Sequence, residues 1–386
     1  MPWKTMDVHE QRVRFVVEAS LEAKPFGGLC EEFGVSRPTG YAWAQRYEAA
    51  GLAGIVERSR RPLRSPRQTP PELAGRVIEL RRRYPDWGAR KLRVLLQRDG
   101  VRLGYSTIHR ILLRHDLVHE ADRRDVATQR FEREQPNELW QMDFKGAKQW
   151  GQAVGPLSVL DDHSRYVIVL QALGSTRGEL VREQLESAFA ACGVPQGMLM
   201  DRGVPWWSTR APLGLTQLSL WLMNQGIELH RSRLRHPQTQ GKVERFHGEL
   251  QRTLERRGQS LPDTQAWLDA YRWEHNHVRP HEALGMRTPS ELWHPSPRRY
   301  EPNPPRWEYA EGAHVLKVDS WGKLHWGGRK WKLSSALCGE RVRIVKVGER
   351  AQVYYCATLI RELDLGTQRS TIVERWVPSK VPQPKL

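Results

Sequence analysis

A chain of 386 residues, 39% of them apolar, is long enough for two to four domains and a sizeable core. Its 61 Lys and Arg against 44 Asp and Glu give a net charge of +17 and a pI near 10.0, which points to a polyanionic partner, nucleic acid foremost. No apolar run approaches the roughly 18 residues of a membrane span, and the stretch Met1 to Glu10 lacks the apolar core of a signal peptide. Cys30, Cys192, Cys338 and Cys356 are too scattered for a zinc site or a disulfide framework and read as thiols of a reducing cytosol.

Residues 1–56 read as a first helical domain of three short helices. Val13, Phe15, Val16 and Val17 supply apolar positions to the first helix, and Leu29, Cys30 and Phe33 to the second. Gly34 and Val35 then lead to Ser36, a helix cap, with Pro38 in the first turn, where a missing N–H is harmless. This is the outline of a helix-turn-helix whose recognition helix runs from Arg37 to Tyr47, with Arg37, Thr39 and Tyr41 as candidate DNA contacts. Residues 57–71 hold five arginines, four prolines and one acid, too little to build a core, and read as an extended linker. Arg58, Arg60, Arg61 and Arg64 in that arm suit DNA phosphates or a minor groove.

A second helix-turn-helix unit is expected over 72–120. Leu73, Val77, Ile78 and Leu80 open it. A helix capped by Ser106 closes it, with Ile108, Ile111 and Leu112 inward and Arg110 outward towards DNA. Two such units in tandem lengthen a DNA footprint. Residues 121–136 are highly charged and read as a linker.

From Asn137 the pattern turns to β, and a mixed α/β domain is expected over 137–295. Trp140, Met142 and Phe144 alternate with Gln141, Asp143 and Lys145, so Asp143 is expected on the polar face of a strand. Leu157 to Leu170 reads as two strands joined by a tight turn at Asp162, His163 and Ser164. A helix from Thr176 to Cys192 follows, then a buried strand from Gly197 ending at Asp201, a helix from Leu213 to Gln225, and a strand from Ile227 to His230. The basic stretch from Arg231 to His236 feeds a last helix beginning near Gln240 and capped by Thr239. Val243, Phe246, Leu250 and Leu254 mark its buried face, Glu244 lies at the edge of that stripe, and Arg245, Arg252 and Arg256 fall on another face. Three leading strands followed by alternating helices and strands describe a sheet covered by helices. Residues 267–277 read as one more helix and 295–305 as a proline-rich linker. The last domain, 296–386, alternates as strands do, with a turn at Gly327 and Gly328, and reads as a small all-β barrel that binds DNA or another subunit.

Three carboxylates stand out: Asp143 on a strand, Asp201 ending another, and Glu244 on a helix. Clustered without a cation they repel and resist ionising. They suit Mg²⁺, a hard ion that takes oxygen ligands and binds substrate phosphates, and a pair of such ions can drive phosphodiester chemistry. Residues 137–257 resemble the catalytic core of the DDE transposases and retroviral-type integrases, a ribonuclease-H-like fold. The resemblance rests on Gln141 to Phe144, Leu160 to Tyr166, Met200 to Trp207, and His236 to His247 with its HPQTQGKVERFH run. With two helix-turn-helix units ahead of this core, the whole chain resembles a bacterial insertion-sequence transposase.

That resemblance implies a multidomain protein of α-helical helix-turn-helix units, an α/β ribonuclease-H-like catalytic core and a C-terminal all-β small barrel. It makes Asp143, Asp201 and Glu244 the catalytic, metal-binding triad for two Mg²⁺ ions per site, with Mn²⁺ as a substitute. It also implies double-stranded DNA, both element ends and target, as the partner of a cytoplasmic, nucleoid-associated homo-oligomer. Arg231, Arg233, Arg235, His236, Lys242 and Arg245 become DNA contacts beside the triad. Two departures from the family pattern are visible. The 42 residues between Asp201 and Glu244 exceed the retroviral-type spacing, with the excess around Trp206 to Leu218, and Arg202 stands where many relatives carry Asn. Asp161 and Asp162 are a rival acidic pair, for which a turn role is the simpler reading. Trp206 and Trp207 suit base stacking or loop packing, and His247 suits DNA contact or packing rather than Mg²⁺. Two rivals to the transposase remain: a DNA-binding regulator with an inactive core, and a ribonuclease-H-type nuclease.

Overall fold

The computed structural model describes residues 7–57, 68–118, 132–146, 150, 154–208, 214–232, 240–257 and 263–373. The chain divides into two compact units, 1–69 and 70–386. In the first, α1 (Val8–Ser20), α2 (Phe26–Glu32) and α3 (Arg37–Ala50) surround Phe15, Val16, Leu29, Cys30 and Ile55. Local chemistry sets each helix start. Asp7 and Glu10 form a reciprocal capping box on α1, and the Ser36 hydroxyl accepts from the Thr39 N–H at the head of α3. Gly40 allows the close approach of α3: a Cβ there would lie 2.8 Å from Cys30 Sγ and 2.9 Å from Phe15 Cζ. Val17, expected inside, is partly exposed.

The second unit begins with α4 (Pro71–Arg83), α5 (Ala89–Arg98) and α6 (Tyr105–Arg114), which enclose Val77, Trp87, Leu92, Leu96, Ile108 and Leu112. Helix α6 starts two residues earlier than expected. Its cap position is Gly104, which offers no side chain, and Ser106 lies inside the helix.

Five strands form the central sheet: β1 (Leu139–Phe144), β2 (Leu157–Asp161), β3 (Val167–Gln171), β4 (Gly197–Met200) and β5 (Glu228–Arg231), in the order β3-β2-β1-β4-β5. The β3-β2-β1 part is antiparallel, and β4 and β5 add parallel to β1. Helices α7 (Gly178–Cys192), α8 (Gln217–Asn224), α9 (Gly241–Arg257) and α10 (Thr264–His277) cover it. This is the mixed α/β sheet that the sequence pattern implied. Helix α8 is shorter than expected because Thr216 and Ser219 form its capping box. Strand β1 is central, so its polar face is not open to water: Gln141 is buried with Leu139, and only Asp143 and Phe144 at the strand's end are partly exposed. The edge strand β3 is guarded by α10, where Asn276 both accepts from the Val167 N–H and donates to its carbonyl. The capping role expected of Thr239 falls outside the described residues, as do most of the two expected linkers.

The expected linker at 295–305 is fastened in its first part to the ends of α7 and α8. Ser296 bonds Cys192 and Val194, and the Arg298 guanidinium donates to the carbonyls of Gln225 and Gly226. Beyond them, β6 (His314–Lys317), β9 (Arg341–Val347), β10 (Arg350–Tyr355), β11 (Thr358–Asp364) and β12 (Ser370–Ile372) form an antiparallel sheet. Strands β7 (Lys323–Trp326) and β8 (Arg329–Lys332) form a separate hairpin through the expected Gly327-Gly328 turn. This all-β region shares one apolar cluster with the central sheet. Many of the sixteen tryptophans are core residues, among them Trp87, Trp140, Trp150, Trp206 and Trp331.

A buried ion cluster binds α4–α6 to the sheet domain. Arg279 lies 2.9 Å from Asp86 and 3.3 Å from Glu249, while Arg257 bridges Asp86 and Glu274. Asp86, Glu249 and Arg279 are almost wholly buried, and removing one member of such a set leaves uncompensated charge at a cost of roughly 3–5 kcal/mol. Arg279→Leu is therefore expected to destabilise the chain by about that amount, read as a shift of the urea midpoint. Arg76→Ala, which breaks an exposed pair with Asp99, is expected to change it by less than about 1 kcal/mol.

Candidate active site

Asp143 and Asp201 meet because β1 and β4 run parallel side by side. Met142 pairs with Met200 in register, so the two acids stand at the next position on neighbouring strands, whose separation is roughly 5 Å. Asp143 Oδ1 accepts from the Phe144 N–H at 2.9 Å. Asp201 Oδ1 accepts from the Gly203 N–H at 3.0 Å and from Trp206 Nε1 at 2.6 Å. Trp206, 1% exposed and stacked on Phe144, is thus a core residue that orients a carboxylate.

Glu244 comes from the first turn of α9. Val243, Phe246, Leu250 and Leu254 are buried as expected, each apolar side chain contributing roughly 1.5–3 kcal/mol. Glu244 itself is exposed at the edge of that stripe. The residues around it are fastened to the sheet. Val243 N–H donates to Gln141 Oε1 at 3.3 Å, Lys242 Nζ lies 2.5 Å from Asp162 Oδ2, and His247 Nε2 lies 2.9 Å from Ser158 Oγ.

The three acids share one field. Asp143's carboxyl is pushed up to about 7, by burial first, then by the Asp201 charge, with Glu244 adding to it. Glu244 is raised by burial. Behind Asp143, burial brings His247 down to about 3 and keeps it neutral, its Nδ1 3.7 Å from Asp143 Oδ2. Among the described residues, no three Asp, Glu, His or Cys side chains already form a metal-holding cluster. The donor set nonetheless fits a hard divalent cation: it is all carboxylate oxygen, and like charges raise Asp143's proton affinity, which a cation would relieve.

The rival pair is structural. Asp161 accepts from the Asn137 N–H, the Ser164 N–H and the Ser164 hydroxyl. Asp162 accepts from the Arg133 N–H and the Gln141 amide, and holds Lys242. Both acids are fully buried and fix the turn between β2 and β3.

The expected DNA contacts divide. Arg37, Thr39 and Tyr41 are exposed on α3, although the Thr39 hydroxyl is 2.8 Å from Ser36 Oγ and Tyr41 stacks on Phe26. Arg110 is exposed on α6, and Arg245 is exposed next to Glu244. Lys242 instead turns inward to Asp162, its side chain 14% exposed and its ammonium lowered by burial to about 8. Arg231 lies over the Trp207 ring at 3.9 Å, where it packs between protein groups. Arg256, expected on a face away from the apolar stripe, donates to the Pro85 carbonyl. Arg58, Arg60, Arg61, Arg64, Arg233, Arg235 and His236 lie outside the described residues. Sequence reasoning missed Gln141, Ser158 and the Trp206–Asp201 bond. Only His247 carried a signal, four residues after Val243 on the buried face.

Residues 133–237 and 225–289 each match a family model described as an integrase core domain. Residues 11–62 match a helix-turn-helix domain and 39–112 a homeodomain-like domain. The insertion element IS407 uncharacterized 31.7 kDa protein of Burkholderia multivorans is 28% identical over 229 residues, covering 57% of this chain and 80% of the relative. The insertion element IS476 uncharacterized 39.2 kDa protein of Xanthomonas euvesicatoria is 25% identical over 253 residues, covering 63% and 71%. Among solved structures, the magnesium-bound trimeric form of the HTLV-2 integrase catalytic core domain covers 42% of this chain and 99% of its own, at 17% identity and a TM-score of 0.34. The simian T-cell lymphotropic virus intasome, in complex with PP2A regulatory subunit B56 gamma, covers 73% and 97% at 18% identity and a TM-score of 0.37.

The Asp143 field has a measurable consequence. Folded Asp143 binds its proton with a pKa of about 7, against 3.8 for an ordinary aspartate, so the native state holds the extra proton between those values. Stability contributed by that proton falls as pH rises from about 4 to about 7, by a few kcal/mol at most. In chelator, Asp143→Asn is expected to melt higher than wild type at pH 8 and to fall less steeply across that window. Superimposable melting profiles would show that the carboxylate is not under strain.

Proposed function

Because the chain belongs to the insertion-sequence transposases of the DDE, retroviral-integrase-like superfamily, we propose that it binds the terminal inverted repeats of its own mobile element. We propose further that it cleaves and joins DNA at the site of Asp143, Asp201 and Glu244. The observation that carries this reading is the adjacency of Asp143 and Asp201 on parallel strands, with Glu244 reaching the same field from α9.

In this reading Asp143, Asp201 and Glu244 would hold a pair of Mg²⁺ ions, which would supply activation of an attacking oxygen and stabilisation of the leaving oxygen of a phosphodiester. The chain's own groups do the positioning. Trp206 and the Gly203 N–H fix one oxygen of Asp201, the Phe144 N–H fixes one oxygen of Asp143, and the bonds flanking Glu244 set where α9 presents it. Arg245, exposed one residue on, is suited to the arriving phosphate.

First, water attacks the phosphorus at the element end, the bond from phosphorus to the element's terminal 3′-oxygen breaks, the phosphate stays on the 5′ end of the flanking strand, and the element is left with a 3′-hydroxyl. That hydroxyl then attacks a target phosphodiester and displaces the target's own 3′-oxygen, so the number of phosphodiester bonds is conserved. No carboxylate becomes covalently attached. Joining two ends calls for at least two protomers, acting at the bacterial nucleoid. The exposed faces of α3 and α6, with Arg37, Tyr41 and Arg110, supply recognition of the ends.

The test uses purified full-length protein, labelled element-end duplexes and Mg²⁺. Wild type is expected to nick the end and transfer it to a second duplex. Asp143→Asn, Asp201→Asn and Glu244→Gln are each expected to lose cleavage by about 10³-fold or more, several kcal/mol of transition-state stabilisation, with end binding retained. Wild type that binds ends yet never cleaves would favour a regulator. Cleavage of RNA–DNA hybrids without any element end would favour a ribonuclease.

A further inference from the structure

His247 is the side chain that the proposed chemistry leaves without a task. It lies one turn after Glu244 on α9, is almost wholly buried, and reaches across two strands of the sheet. Strands β1 and β2 place Asp143 directly opposite Ser158 in register, so both side chains rise on the face covered by α9. The imidazole lies between them: Nε2 is 2.9 Å from Ser158 Oγ, and Nδ1 is 3.7 Å from Asp143 Oδ2. Ser158 is fully buried, and a hydroxyl that donates to Nε2 leaves the ring proton on Nδ1, the nitrogen turned to Asp143.

We infer that His247 is a positioning residue for Asp143: Ser158 fixes its ring, and the ring's Nδ1 faces Asp143 Oδ2 at 3.7 Å, a polar contact longer than a hydrogen bond. The other oxygen of Asp143 already accepts the Phe144 N–H. Between them the Phe144 N–H and the facing imidazole set the rotation of the carboxylate and therefore the direction of its free lone pairs. The same imidazole ties α9 to the sheet, so it also sets the spacing between Glu244 and Asp143. A ring that merely filled space here would not need a polar anchor at 2.9 Å, and burying imidazole is costly unless its nitrogens find partners. This inference rests on the metal-binding reading of Asp143 given above. Outer partners that orient a ligand carboxylate typically change metal affinity or activity by roughly 10–100-fold when lost.

The two amide substitutions separate the nitrogens. An Asn side chain brings its amide to the place of Nδ1, whereas a Gln side chain brings it to that of Nε2. His247→Asn, His247→Gln, Ser158→Ala and Asp143→Asn would be compared with wild type as full-length proteins. The readouts are Mn²⁺ affinity by electron paramagnetic resonance, melting temperature, end-duplex affinity and end cleavage. His247→Gln is expected to lose Mn²⁺ affinity by about 10–100-fold, and His247→Asn to stay within a few-fold of wild type. Ser158→Ala should move the same way by a smaller factor. End-duplex affinity should not change.

A His247→Gln protein that binds Mn²⁺ and cleaves like wild type would overturn the inference. So would equal losses in the Asn and Gln variants that track their melting temperatures, since that is the signature of packing alone. Wild type that binds Mn²⁺ no better than Asp143→Asn would remove the metal reading itself, and this inference with it.

Discussion

The attachment of the first turns of α9 to β1 and β2 is the constraint on which the site depends. A surface helix can slide or rotate on its apolar stripe with little change in buried area, because the hydrophobic effect is not directional. Polar contacts remove that freedom. Gln141 takes the Val243 N–H, Asp162 takes the Lys242 ammonium, and Ser158 meets the His247 ring. Each partner belongs to β1, to β2 or to the turn that follows β2. The residue between these fasteners, Glu244, is exposed, so its place is fixed by its neighbours.

The far end of the same helix is held differently. Glu249, Thr253, Arg256 and Arg257 meet Pro85, Asp86 and Arg279, charge against charge in the interior. Removing such charges from water offsets most of what their attraction gains, so the net stability of the set is modest even though losing one member is severe. What the cluster supplies is a register: Asp86, between α4 and α5, fits Arg279 and Arg257 in one way. The second helical unit and the helix that carries Glu244 therefore form one body, whereas the first helical unit is compact on its own.

Local chemistry was legible wherever it acted within a few residues. The Ser36 cap, the glycine turn of β7–β8, the apolar stripe of α9 and the three leading strands all follow from spacing and residue type. Asp143 on one strand and Asp201 at the end of another follow from the same pattern, but that these strands are neighbours follows only from the sheet order. What spacing did not decide was which polar side chains turn inward. Lys242 and Arg245 are three residues apart on one basic helix, yet Lys242 is taken by Asp162, eighty positions away, while Arg245 stays exposed. Arg231 looked like part of a basic stripe and lies over Trp207. Alternation along β1 was read as one wet face, because a single sequence does not reveal that a later helix will cover it. Trp206 suits base stacking or loop packing by sequence alone, and its hydrogen bond to Asp201 joins positions on a loop whose path only the folded chain defines.

These side-chain commitments also explain how an acidic site persists in a chain of net charge +17. Most of the basic residues are arginines, and an arginine or lysine set firmly against Asp143 would do electrostatically what a divalent ion does, and would keep one out. The balance at Asp143 runs the other way. Burial and the charges of Asp201 and Glu244 outweigh the opposing pull of Lys145, and the carboxyl holds its proton to about pH 7. The cation nearest to Glu244 along α9 on the N-terminal side, Lys242, is directed at Asp162. The basic surplus can therefore serve a polyanion, while the carboxylates keep a local deficit of positive charge. That deficit is the state in which a hard divalent ion gains most by binding, because relieving repulsion between neighbouring carboxylates adds to the attraction of each.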